Sequence, residues 1–127
     1  MIRLADGQSV KNGVASAAEA SAKKSPASFR VRVLRQDAPG RESYWECHVI
    51  PYEANMNVIS VLQRIAALST TEGGRSVAPV AWDCNCLEEV CGACTMLVNG
   101  KTRQACSALV DRLLEDPRSQ RFINDFV

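Results

Sequence analysis

The chain has 127 residues, enough for one modest domain, and its 15 Lys and Arg against 14 Asp and Glu leave a formal net charge of +1. Such a balance gives no reason to expect nucleic acid as a partner. No apolar run reaches the roughly eighteen residues of a membrane-spanning helix, so any attachment to a membrane is expected to come through a partner.

Residues 1–28 are rich in Ala, Ser and Lys without sustained periodicity, which predicts a flexible N-terminal tail. An organellar presequence shares the Ser-rich composition, but Asp6, Glu19 and the scarcity of arginine speak against it. From Phe29 the pattern changes. Phe29, Val31 and Val33 alternate with Arg30 and Arg32, the period-two signature of a half-buried strand, and Asp37 to Gly40 reads as a turn. A second alternation predicts Trp45, Cys47 and Val49 on the buried face and Tyr44, Glu46 and His48 on the wetter one, completing an antiparallel hairpin. On that reading Cys47 is a buried structural thiol. His48, the single histidine, is an ordinary strand residue with no acidic partner at motif spacing.

Asn57 predicts a helix N-cap, with Met56 and Val61 placed as a hydrophobic staple across it. Val58, Val61, Leu62, Ile65 and Leu68 then recur at helical spacing, while Ser60, Gln63 and Arg64 fall on the other side, so the helix should lie across the sheet. Ser69 to Arg75, with Gly73 and Gly74, reads as a loop.

Cys86, Cys91, Cys94 and Cys106 follow at spacing x4, x2, x11. A binuclear [2Fe-2S] cluster asks for this arrangement: two thiolates per iron, a short loop folded over the cluster, and a fourth sulfur from a separate segment. Gly92 lets the backbone run close to the inorganic core. Two ferric ions, two sulfides and four thiolates sum to minus two, and reduction adds a further negative charge, so backbone N–H groups curled toward sulfur are required. Glu88 and Glu89 act in the opposite sense and are expected to face solvent or a partner. A four-thiolate zinc site usually takes its cysteines as two short pairs, which this spacing fits poorly, and a disulfide framework lacks any sign of a secretory signal. Cys84 is read as a non-ligating neighbour, with a ligand role as the alternative.

Asn99-Gly100, between Thr95 to Val98 and Lys101 to Gln104, is a type I′ hairpin signal that returns Cys106 beside Cys94. Two strands, a helix, a metal loop and a further hairpin predict an α+β fold over residues 29–114: a β-grasp, plant-type [2Fe-2S] ferredoxin-like domain. Residues 115–127 read as a divergent or truncated C-terminal tail.

The run from Pro79 to Gly100, with Asn55 to Leu62 upstream and Arg103 to Asp111 downstream, resembles the bacterial iron-sulfur subunit of succinate dehydrogenase and fumarate reductase. The resemblance covers about Phe29 to Leu114. It implies that Cys86, Cys91, Cys94 and Cys106 are the cluster ligands, and that the domain docks on a FAD-bearing flavoprotein subunit and takes electrons singly from reduced flavin. It also implies membrane-anchor subunits as indirect partners and a peripheral place on the cytoplasmic face of the cell membrane. Members of that family continue into a helical domain with [4Fe-4S] and [3Fe-4S] clusters, whose cysteine runs do not follow Cys106 here. Nor does the family's last strand, in whose place Phe122 and Phe126 offer a substitute edge strand; a truncated gene product is the simplest expectation.

Electron transfer within a succinate:quinone oxidoreductase is therefore the leading reading. The small iron-sulfur subunit of a molybdenum hydroxylase shares the cysteine spacing and the Cys-Gly-Ala-Cys core, but usually has glycine where this chain has Asn85. A free-standing ferredoxin has a longer gap before its fourth cysteine. No acid, base or nucleophile constellation is visible, so no catalysis is expected from this chain alone.

Overall fold

The computed structural model describes residues 1–6 and 27–119. Its strands are β1 (Ile2–Asp6), β2 (Ser28–Arg35), β3 (Tyr44–Pro51), β4 (Thr95–Val98) and β5 (Lys101–Gln104), joined by helices α1 (Val58–Leu68) and α2 (Val110–Glu115). They form one mixed sheet in the order β3-β2-β1-β4-β5. Phe29, Val31 and Val33 of β2 are buried, as their alternation predicts, against Val58, Val61, Leu62 and Ile65 of α1 and Val110 and Leu113 of α2, in a single core. This is the α+β, β-grasp arrangement expected of a ferredoxin-like domain.

Helix α1 begins where its cap chemistry says it should: Asn57 Oδ1 accepts from the Ser60 amide at 2.9 Å and from its hydroxyl at 3.1 Å. Met56 and Val61, the residues of the expected staple, are both buried in the core. Ser69 closes the helix in the left-handed region (φ 51°), with its amide bonded to the Ile65 carbonyl. Leu68, expected on the apolar face, is 48% exposed, because burial ends at Ile65. Arg64 pairs with Glu53 on the solvent side.

Two expectations are corrected. The first concerns the tail over residues 1–28. Residues 2–6 instead form β1, antiparallel to β2 (Leu4↔Val31) and parallel to β4 (Ile2↔Val98), and Ser28 already belongs to β2. Ile2 and Leu4 alternate with Arg3, a period-two pattern too short to stand out from the Ala- and Ser-rich composition behind it. Residues 7–26 and 120–127, with the proposed edge strand at Phe122 and Phe126, lie outside the described residues. Of the C-terminal segment, Asp116 to Ser119 is described, and Ser119 is buried with its hydroxyl donating to the Asp116 carbonyl at 2.7 Å.

The second correction is the face of β3. Register pairs Phe29 with Ile50, Val31 with His48 and Val33 with Glu46, so Glu46, His48 and Ile50 face the core, while Trp45, half-buried Cys47 and exposed Val49 face outward. A one-residue slip in period two exchanges faces, and here each face carries side chains that the other environment would suit. Trp45 is accommodated outside because the guanidiniums of Arg3 and Arg32 both sit 5.2 Å from its ring. His48 and Glu46 are accommodated inside because they bond to each other at 2.9 Å, so the acidic partner not visible at motif spacing is two residues away.

β1 joins the two hairpins of the sheet, and Leu4 is fully buried. Leu4→Ala is expected to cost about 2–5 kcal/mol in urea unfolding; a tail residue in the same place would give no measurable change.

Candidate metal centre

The β4–β5 hairpin does the long-range work. Asn99 (φ 48°) and Gly100 (φ 75°) both take the positive φ that a type I′ turn demands, and the pairing continues past the strand ends, with the Ala105 amide on the Cys94 carbonyl at 3.1 Å. Buried Cys94 and Cys106 are thereby adjacent, and their thiols share a hydrogen bond. Asn57, besides capping α1, donates from Nδ2 to the Cys106 carbonyl at 3.0 Å, which ties the helix start to the fourth cysteine. No sequence signal marked this second role.

Between Cys86 and Cys91 the chain curls on itself. Leu87 (φ 61°), Glu89 (φ 60°) and Gly92 (φ 75°) all lie in the left-handed region. For the two non-glycine residues this is strain of the kind stored at functional sites, and its return is visible in the donors: the amides of Glu88, Val90 and Cys91 point at Cys86 Sγ at 3.3, 3.4 and 3.3 Å. Cys91 Sγ receives the amides of Cys86 at 3.5 Å and Ala93 at 3.4 Å. Gly92 serves by its φ; an added Cβ would meet only Thr95 Oγ1 at 3.7 Å. Gln104 Nε2, unmarked in the sequence, donates to the Glu89 carbonyl at 3.2 Å and clips the loop to the hairpin.

These donors make a nest for negative charge on sulfur. The amides of Glu88, Cys91 and Val90, in that order of effect, bring the Cys86 thiol down to about 7. Burial, followed by the bond to Cys94, pushes the Cys106 thiol up. Glu88 and Glu89 are exposed, as expected of carboxylates kept from an anionic centre. Cys84 is half-buried and packs against the core beside Val80 and Trp82, while the loop amides converge on Cys86 and Cys91. Two pairs of thiols, one in an N–H-rich loop and one buried at the hairpin base, suit a wider, binuclear, anionic group.

The family described as 2Fe-2S iron-sulfur cluster binding domain matches residues 30–125. The chain belongs to that family, and its cofactor is a [2Fe-2S] cluster. It is similar to the protein named "Succinate dehydrogenase iron-sulfur subunit" of Bacillus subtilis (strain 168), at 49% identity over 85 residues. That alignment covers 67% of this chain and 34% of the relative, so the chain spans about a third of that protein's length. No solved structure matches the chain.

In metal-free protein at neutral pH, iodoacetamide is expected to label Cys86 at least about tenfold faster than Cys106, since the thiolate is the reactive form. Peptide mapping by mass spectrometry reads the order, and equal rates would mean that the loop does not hold its donors without the cluster.

Proposed function

We propose that Cys86, Cys91, Cys94 and Cys106 hold the [2Fe-2S] cluster, and that the domain carries single electrons in a succinate:quinone oxidoreductase or fumarate reductase. Electrons pass between the FAD of a flavoprotein subunit and further iron-sulfur clusters toward quinone. The observation that carries the ligand set is the convergence of loop amides on Cys86 and Cys91, with Cys94 and Cys106 side by side at the hairpin base. The role in succinate oxidation or fumarate reduction is supported by the identity to the Bacillus relative.

When bound, the cluster supplies a site that accepts and returns one electron. The protein supplies the rest. Amides aimed at sulfur stabilise the additional negative charge, and because strained backbone already holds them, little reorganisation accompanies the change. Burial of Cys94 and Cys106 shields one side from water, while Cys91 stays exposed on the other. That open side also presents Leu87, 56% exposed, and Val90, 80% exposed, on either side of the exposed Glu88 and Glu89 in the chain. Two acids flanked by two exposed apolar side chains suit a flavoprotein surface that offers basic groups within an apolar patch. None of the described helices is long and apolar enough to cross a membrane, and the proposed place of the chain is peripheral, on the cytoplasmic face, through membrane-anchor subunits. No catalysis is assigned to the chain alone.

Anaerobically purified protein is expected to contain iron and acid-labile sulfide in a one-to-one ratio and to give a rhombic electron paramagnetic resonance signal after dithionite. Cys94→Ala and Cys106→Ala should abolish that signal, and Cys84→Ala should keep it. Affinity capture should bring down a FAD flavoprotein. Loss of the signal in Cys84→Ala alone would reassign the ligands, and capture of a molybdopterin protein would reassign the complex.

A further inference from the structure

Two of the most deeply buried side chains are ionisable: Glu46 and His48 are each 1% exposed, on the core face of β3. His48 Nδ1 lies 2.9 Å from the carbonyl oxygen of Thr70, and Nε2 lies 2.9 Å from Glu46 Oε1. A carbonyl oxygen only accepts, so Nδ1 bears a hydrogen. A neutral ring would then turn the bare lone pair of Nε2 on a carboxylate oxygen, two acceptors facing each other in a site closed to solvent, and one further proton has to lie between them. The second carboxylate oxygen, Oε2, is 3.9 Å from Arg35 Nε and 3.9 Å from Arg75 Nη2. The geometry therefore sets one proton between Nε2 and Oε1, with two guanidiniums beside the other carboxylate oxygen.

Arg35 extends the chain of contacts, donating from Nη1 to the Pro79 carbonyl at 3.2 Å and from Nη2 to the Ala78 carbonyl at 3.0 Å. The line Thr70, His48, Glu46, Arg35, Ala78 and Pro79 therefore starts and ends on one stretch, residues 69–80, which leaves α1 and runs toward Cys86. That stretch is closed on itself by the Val77 amide on the Ser69 carbonyl at 3.0 Å and held to β3 by the Glu72 amide on the Cys47 carbonyl at 2.8 Å.

We propose that Glu46 and His48 are positioning residues for the iron-sulfur site: a buried imidazolium–carboxylate pair clamps residues 69–80 and so fixes the approach of the chain to the cysteine loop. Only the last step, from clamp to cluster, rests on the ligand assignment above.

His48 is the only histidine, so its ring signals in a long-range proton–nitrogen spectrum identify themselves. Cluster-loaded protein at neutral pH is expected to show both ring nitrogens protonated. In Glu46→Gln the ring is neutral and protonated at Nδ1 alone, with Nε2 accepting from the glutamine amide. That exchange keeps both hydrogen bonds and the net charge of the pair, so wild-type g values, reduction potential and trypsin cleavage after Arg75 are all retained. Glu46→Ala leaves Nε2 without its partner and takes the carboxylate away from Arg35, raises cleavage after Arg75 by about tenfold through local opening, and shifts the g values. An unprotonated Nε2 in the wild type overturns the proposal. So does a Glu46→Gln that behaves like Glu46→Ala, or a folded Glu46→Ala with unchanged cleavage and g values. Should Glu46→Ala not fold, the wild-type spectrum and Glu46→Gln decide alone. Protein without a cluster overturns the electron-carrier reading and leaves the clamp to be judged by ring protonation and cleavage.

Discussion

Asn99 holds the domain together at the place where its parts would otherwise separate. It sits at the tip of the β4–β5 hairpin, nearly fully buried, and its backbone amide donates to the Ile2 carbonyl at 3.0 Å. Its side chain accepts from the Leu4 amide at 3.1 Å and donates to the Leu113 carbonyl at 3.2 Å. One residue thus satisfies buried backbone groups of β1 and α2 while taking the positive φ that turns the hairpin. Without that turn Cys106 does not come back to Cys94, and without the two side-chain bonds β1 and α2 keep polar groups unpaired in the core. The cysteine site and the sheet are consequences of one conformation at one residue.

What could be read from the residues is what local chemistry dictates. The x4, x2, x11 cysteine spacing is legible because a binuclear cluster tolerates few loop lengths. Asn57 is legible as a cap and Asn99-Gly100 as a turn because each shapes its own backbone. The faces of β3 are not legible, since Glu46 and His48 reach the core only by satisfying one another and the Thr70 carbonyl, a contact 22 residues along the chain. β1 is hidden for a related reason: its evidence is two apolar residues, and its reward is a pairing with β4 nearly the whole domain away. Helix α2, six residues long, is too short for periodicity to show. The second roles of Asn57 and Gln104, both toward carbonyls of the cysteine segments, depend on tertiary placement and have no pattern at all.

Charge is handled in opposite ways at the two polar centres. Around Cys86 and Cys91 the domain meets negative charge with dipoles, five amides and no nearby basic side chain among the bonds to sulfur. On the proposed ligand set, such dipoles stabilise an added electron without fixing a counter-ion that would favour one redox state strongly. Around Glu46 it meets a carboxylate with full charges, His48 bonded directly and Arg35 and Arg75 at longer range, which suits a joint meant to stay shut. Breaking such a buried pair is costly while its net worth is small, so its value lies in geometry rather than in stability.

The parallel pairing of Ile2 with Val98 has a consequence for the order of events during synthesis. The ribosome releases the middle strand of the sheet first, yet one of its two neighbours emerges only after the whole cysteine loop has been made. Until then the edge of β2–β3 has β1 as a partner on one side and nothing beyond it. Closure of the sheet and completion of the four-thiol set therefore fall together, late on the nascent chain, where contacts of such high sequence separation are slow to form.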